Sequence, residues 1–199
     1  MLKRAMEEND KSHIIAEICQ AVLGGELERA AVVMRCTYPF TRPTVAGRKY
    51  TESDALRIFI RDGFVDRYSG RRLVFSPVLR LLSRLLPEEF PFHPNWKMDA
   101  CHIAYWELSP TLDHVVPVAL GGADNATNWV CTSMLRNSVK ANWTLEELGW
   151  HLVPPGDLHQ WDGLLQWFVT YVEGHQELAQ EPYFRRWHRA ARSAWQQAL

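Results

Sequence analysis

Apolar residues recur along much of the chain at helical spacing. Ile14, Ile15, Ile18 and Val22 predict an amphipathic helix over residues 10–23, stopped by Gly24-Gly25. A second helix is expected from Glu26 to about Cys36, with Pro39 and Pro43 breaking the pattern. Thr51 and Asp54 have the spacing of a reciprocal cap, and Leu56, Ile58, Phe59 and Ile60 follow, so a helix should run from there to Gly63. Leu73-Val74-Phe75 favours a short strand, and Ser76-Pro77 should open a strongly apolar helix to about Leu86. Residues 87–110, rich in proline and aromatics, read as irregular. Thr144 should start another short helix, and Pro154-Pro155-Gly156 should turn the chain. Two last helices are expected over about 161–178 and 182–197. Their aromatics (Trp161, Trp167, Phe168, Tyr171, Phe184, Trp187, Trp195) fall at helical spacing, which points to core packing rather than base stacking.

Chemistry concentrates between Thr111 and Asn142. Leu112–Val116 is a short β-rich run carrying the adjacent pair Asp113 and His114. Neighbours on a strand point to opposite faces, so both can serve one site only where the strand ends or bulges, and Pro117 supports an ending. Gly121-Gly122 and Asp124-Asn125 make a loop, Asn128–Cys131 a returning strand, and Thr132-Ser133 caps a helix containing Arg136, Asn137 and Lys140. Strand, loop, strand and helix make a compact ββα unit.

In that unit Asn128 follows His114 by 14 positions and Asn137 by 23, with Pro117, Gly121-Gly122 and Lys140 in register. This pattern resembles the HNH (ββα-metal) nucleases. It looks most like the variant with Asp and Asn as metal ligands, as in the HNH domain of RNA-guided DNA nucleases. The resemblance covers about 33 residues firmly and 65–142 loosely. It implies an endonuclease in which His114 is the general base and Asn128 fixes the loop and orients His114. Asp113 and Asn137 are then the ligands of one divalent metal, and Arg136 and Lys140 contact phosphates. An imidazole can take a proton near neutral pH, and an oxygen-rich pair of ligands suits Mg²⁺ or Mn²⁺. Many family members carry a zinc ribbon. Here Asp66-Arg67-Tyr68-Ser69-Gly70 and Cys131-Thr132-Ser133-Met134 stand in place of its cysteine pairs. Ser69 and Met134 are poor zinc ligands, so no structural zinc is expected.

The expected class is α+β: a mostly helical protein holding a ββα-metal motif between N- and C-terminal helices. The expected division is 1–62 helical, 63–150 the nuclease core with its motif at about 111–142, and 151–199 helical. No apolar run approaches the roughly 20 residues of a membrane span, and MLKRAMEENDKSH lacks the apolar core of a signal peptide, so no membrane partner and a cytoplasmic location are expected. Cys19, Cys36, Cys101 and Cys131 are scattered and suggest no disulfide framework. A net charge of −1 speaks against a nucleic-acid partner, but it averages unlike segments. Residues 57–84 hold seven arginines against Asp62 and Asp66, 144–181 hold seven acids and no Lys or Arg, and 183–195 hold four arginines and no acid. The basic stretches are either phosphate contacts for DNA or solvated faces that pair with the acidic one. Two other functions stay open: a non-catalytic nucleic-acid-binding module on the same scaffold, and a protein-interaction role. Oligomeric state is open as well, although cutting both strands with one site would call for a homodimer.

Overall fold

The computed structural model describes residues 11–40 and 50–198. The expected helix start at residue 10 and the break at Pro43 lie outside them. The protein is α+β, about half helical, with one two-stranded antiparallel sheet among the described residues. No helix there is long and apolar enough to cross a membrane.

The chain divides into two units, 1–47 and 48–199. In the first, α1 (Ser12–Leu23) and α2 (Leu27–Thr37) form a helical hairpin. Its tight connection uses Gly25 at φ +76°, the left-handed region that glycine enters without steric penalty.

The second unit begins with α3 (Glu52–Arg61). The Thr51 hydroxyl accepts from the Asp54 N–H at 3.1 Å, and the Asp54 carboxylate accepts from the Thr51 N–H at 2.9 Å, the reciprocal cap that the spacing predicts. Helix α4 (Ser76–Leu85) opens on Pro77, where the missing N–H would have no helical partner anyway. Then come α5 (Ala104–Leu108) inside the proline-rich stretch, β1 (Pro110–His114), a 3₁₀ turn (Val118–Leu120), β2 (Trp129–Ser133), α6 (Met134–Lys140) and α7 (Leu145–Leu148). Helices α8 (Leu165–Gly174), α9 (Gln176–Gln180) and α10 (Pro182–Ala198) close the unit. Strands β1 and β2 pair in register from Pro110 with Ser133 to His114 with Trp129. Both α3 and α6 pack on this hairpin, so its strands are buried with little alternation. The core gathers Leu56, Phe64, Leu73, Phe75, Leu112, Cys131 and Phe168.

Two expected elements differ. The strand over Leu73–Phe75 does not form. Its N–H groups go instead to three separate places: Leu73 to the Phe64 carbonyl at 2.7 Å, Val74 to Leu108 at 2.9 Å and Phe75 to Gly163 at 2.8 Å. Leu73 and Phe75 are buried nonetheless, which is what their composition signals. The single helix over 161–178 is two helices with a late start. The Asp162 carboxylate accepts from the N–H groups of Leu164 and Gln166, both at 2.9 Å, and so caps α8. Gly163 before it lies at φ +68° against Phe64, where a Cβ would collide with the ring. At the other end, Gly174 weakens the helix and the His175 ring bonds the Tyr171 carbonyl at 2.8 Å, parting α8 from α9. Most of the C-terminal aromatics pack as expected, with Phe168 and Phe184 buried, whereas Trp167 is exposed and stacks on Tyr171.

The turn after α3 is fastened to β2 by two buried carboxylates. Asp62 accepts from the Cys131 N–H at 2.8 Å, and Asp66 from Ser133 at 3.0 Å, Tyr68 at 3.0 Å and Ser69 at 3.1 Å. Asp66→Ala strands the N–H groups of Ser133 and Tyr68, while Ser69 keeps the Asp66 carbonyl at 3.1 Å, and should cost roughly 2–5 kcal/mol, with Asp66→Asn retaining part of that; urea unfolding of the three proteins checks the order.

Candidate functional site

The end of β1 is the focus. Its last residues, Asp113 and His114, are 6% and 4% exposed, and they face different neighbours, as adjacent strand positions must. His114 faces the loop. Its Nε2 lies 2.8 Å from Asp124 Oδ1, and the Trp129 indole N–H reaches both atoms, at 2.9 and 3.1 Å. An ionised carboxylate only accepts, and the indole nitrogen only donates. Nε2 cannot both donate to Asp124 and accept from the indole. With the proton on Nε2 the indole N–H serves Asp124 alone and Nδ1 is the ring's accepting nitrogen, whereas with the proton on Nδ1 the indole N–H serves Nε2.

The loop that carries Asp124 is built by Asn128. Its Oδ1 accepts from the Val116 N–H at 2.9 Å, and its Nδ2 donates to the carbonyls of Val116 (2.8 Å) and Ala123 (2.9 Å). Gly122 is required beneath it, because a Cβ there would collide with the Val116 carbonyl. Asn128 thus holds both ends of the turn that brings Asp124 over His114.

Asp113 faces the other way. The Tyr68 hydroxyl donates to its Oδ2 at 2.6 Å, and the Lys140 ammonium lies 3.0 Å from the same oxygen. Burial first, and the Asp113 charge second, push the Tyr68 phenol far above its ordinary pKa, so it stays protonated and donating. Lys140 is fully buried, and its ammonium also donates to the His114 carbonyl at 2.7 Å. That placement corrects its expected contact with phosphate: it ties α6 to the end of β1 from inside. Asn137, one turn earlier, donates from Nδ2 to the Leu112 carbonyl at 3.4 Å. The oxygens left to face a cation are Asp113 Oδ1 and Asn137 Oδ1. Arg136, half-buried, lays its guanidinium 4.9 Å from the Trp150 ring centroid. Of the expected site residues, Asp113, His114, Asn137 and Lys140 come together, Asn128 supports them through the loop, and Arg136 turns toward Trp150.

Asp124, Trp129 and Tyr68 are additions to that set. Asp124 reads in sequence as turn chemistry and Tyr68 as part of a vacant zinc knuckle; only the fold brings them to His114 and Asp113. His93 and His102, the two upstream histidines, are occupied locally: His93 Nδ1 accepts from Asn95 and His102 Nδ1 from Ala104, each at 3.2 Å.

Among the described residues, no three His, Cys, Asp or Glu side chains gather as a metal-binding group. The residues that the resemblance sets in place of a zinc ribbon have chemistry that does not fit that metal. Both Asp66 oxygens are taken by backbone N–H groups, and the Cys131 thiol is pushed well up by burial and by the nearby Asp62 and Asp66 charges. Asp113 and Asn137 would offer a hard divalent ion two oxygen ligands, with water filling its other positions.

The chain matches no protein-family model, no curated protein and no solved structure.

Cys19 and Cys36 are exposed, whereas Cys101 and Cys131 are buried. Iodoacetamide should therefore modify the first two in the native protein and all four only after unfolding, as counted by intact mass.

Proposed function

We propose that the chain is an endonuclease of the HNH type that hydrolyses DNA phosphodiester bonds with Mg²⁺ or Mn²⁺. The observation that carries this reading is the docking of α6 on the end of β1. It sets Asn137 on the Leu112 carbonyl and Lys140 on both Asp113 and the His114 carbonyl, beside an imidazole held through Nε2. The register of these residues with the HNH pattern supports it.

Each residue then has a distinct task. His114 accepts the proton of the attacking water at Nδ1, while Asp124, accepting from Nε2–H, holds the ring in that tautomer and takes the indole N–H of Trp129 as well. Asp124 also stabilises the imidazolium that results. Asp113 and Asn137 would hold the cation through their Oδ1 atoms, and the bound ion supplies Lewis-acid stabilisation of the phosphate oxygens. Tyr68 and Lys140 fix the Asp113 carboxylate, so that only one of its oxygens is presented.

A second reading, a nucleic-acid-binding module without catalysis, is favoured by one contact. The Lys140 ammonium 3.0 Å from Asp113 already supplies positive charge where a metal would. It predicts salt-sensitive DNA binding and intact plasmid under either metal.

Supercoiled plasmid should be nicked with Mg²⁺ or Mn²⁺ and spared in EDTA. His114→Ala should lower cleavage by about 100-fold or more while DNA and metal binding persist. Asp113→Ala should lose cleavage and metal affinity together. Asp124→Ala should cost about 10–100-fold in rate, the scale associated with removing a group that orients a functional histidine. Full nicking by His114→Ala would overturn the mechanism.

A further inference from the structure

Three cavities adjoin one another within residues 50–198. The first, of about 540 Å³, is bounded by Arg84, Pro87, Pro91 and Glu181. It shares Arg80, Phe92 and Pro94 with the second, of about 310 Å³, whose other walls include Trp96, Tyr105 and Tyr183. The second shares Ser76 with the third, of about 330 Å³, which reaches Tyr50, Thr111 and Trp187. Tyr50 stands edge-on to Trp129 with ring centroids 6.1 Å apart, and Trp129 touches His114 and Asp124. The series therefore runs from Arg84 to Tyr50, with the Tyr50 and Trp129 rings between its inner end and His114.

Two features set the middle cavity apart from a packing gap. Trp96 sits at φ +51°, in the left-handed region, where a bulky side chain is an outlier. In that strained position its indole stands edge-on to Phe92 and Tyr105, with centroids 6.1 and 5.6 Å away. Arg80 lays its guanidinium 3.4 Å from the Phe92 centroid and 5.7 Å from that of Tyr183. Among the described residues no carboxylate pairs with it, whereas Arg84 in the first cavity bonds Glu181 at 2.9 Å. Below them, the hydroxyls of Ser76 and Ser109 meet at 2.7 Å.

Several π faces around an uncompensated, flat cation suit a planar heterocycle joined to negative charge. The volume lies at the lower end of ordinary ligand sites. A proline-rich peptide also favours aromatic walls, but it would leave Arg80 without an anion.

We propose that the middle cavity binds an unstacked nucleobase of single-stranded nucleic acid, with the adjoining phosphate on Arg80. The strand then passes Ser76 toward His114. Only this direction rests on the nuclease reading; the pocket does not.

Binding of a short, labelled deoxythymidine oligonucleotide to the full chain in EDTA tests the pocket without cleavage. Trp96→Gly removes the ring and suits the backbone, and should weaken single-strand binding about tenfold while duplex binding holds. Arg80→Gln should weaken it too and lower the salt slope by about one. Photocrosslinking of an iododeoxyuridine oligonucleotide to the unaltered protein needs no variant to fold, and should label residues 91–97 or Tyr183. Unchanged binding by folded Trp96→Gly, crosslinks confined elsewhere, or displacement of the oligonucleotide by a proline-rich peptide would each overturn the proposal. A wild-type protein that binds the oligonucleotide in this way but never nicks plasmid would overturn the nuclease reading and leave the pocket standing. A protein that nicks plasmid yet fails the oligonucleotide tests would do the reverse.

Discussion

Two buried aspartates hold the β1–β2 hairpin to the rest of its unit. Asp62, fully enclosed, accepts from Arg61, from Arg67 at 2.9 Å and from the Cys131 N–H at 2.8 Å. The same arginines reach outward to carbonyls: Arg61 to Ala126 and Trp129, and Arg67 to Val153. Asp66 joins its own turn to Ser133. A carboxylate in an apolar interior is tolerated only when its charge is matched and its lone pairs are filled, and both conditions hold at Asp62. One oxygen of Asp66 serves its own turn and the other reaches β2. With those anchors in place, β2 positions Trp129 beside His114 and launches α6, so the candidate site inherits its geometry from this clamp.

Local chemistry made some of this legible in the sequence. The Thr51–Asp54 and Thr144–Glu147 caps, Pro77 at the head of a helix, and the Gly-Gly turn at 121–122 all act over a few residues. Such signals carry their own partner with them. Leu73–Phe75 was legible as buried but not as non-strand, because the acceptors of its three N–H groups lie at 64, 108 and 163. At Lys140 the residue type suggested a surface cation. Its burial follows from α6 lying against β1, a tertiary fact that no spacing rule contains.

Charge was legible as asymmetry and illegible as purpose. Arg61 and Arg67 are absorbed by Asp62, and Arg72 lies 5.3 Å over Trp161. Arg84 pairs with Glu181, and Arg192 lies 3.6 Å from Glu173, so part of the acidic segment answers the basic ones directly. Arg186 pairs outside that segment, with Glu52 at 2.8 Å. Much of the apparent nucleic-acid signature in 57–84 is therefore spoken for within the fold. What is left for an external anion is sparse and specific in place.

The segment 73–75 has a consequence for how the second unit comes apart. One peptide group after another is bonded to the turn after α3, to the end of α5 and to the glycine before α8. None of the three bonds can be kept when its partner segment is removed, and Leu73 and Phe75 lie in the core that those segments share. A piece cut to residues 63–150 would lose Gly163 and, with it, the acceptor for Phe75. The hairpin and its helix are thus not a detachable cassette: the second unit should melt in one transition, and the site should vanish with the core rather than before it.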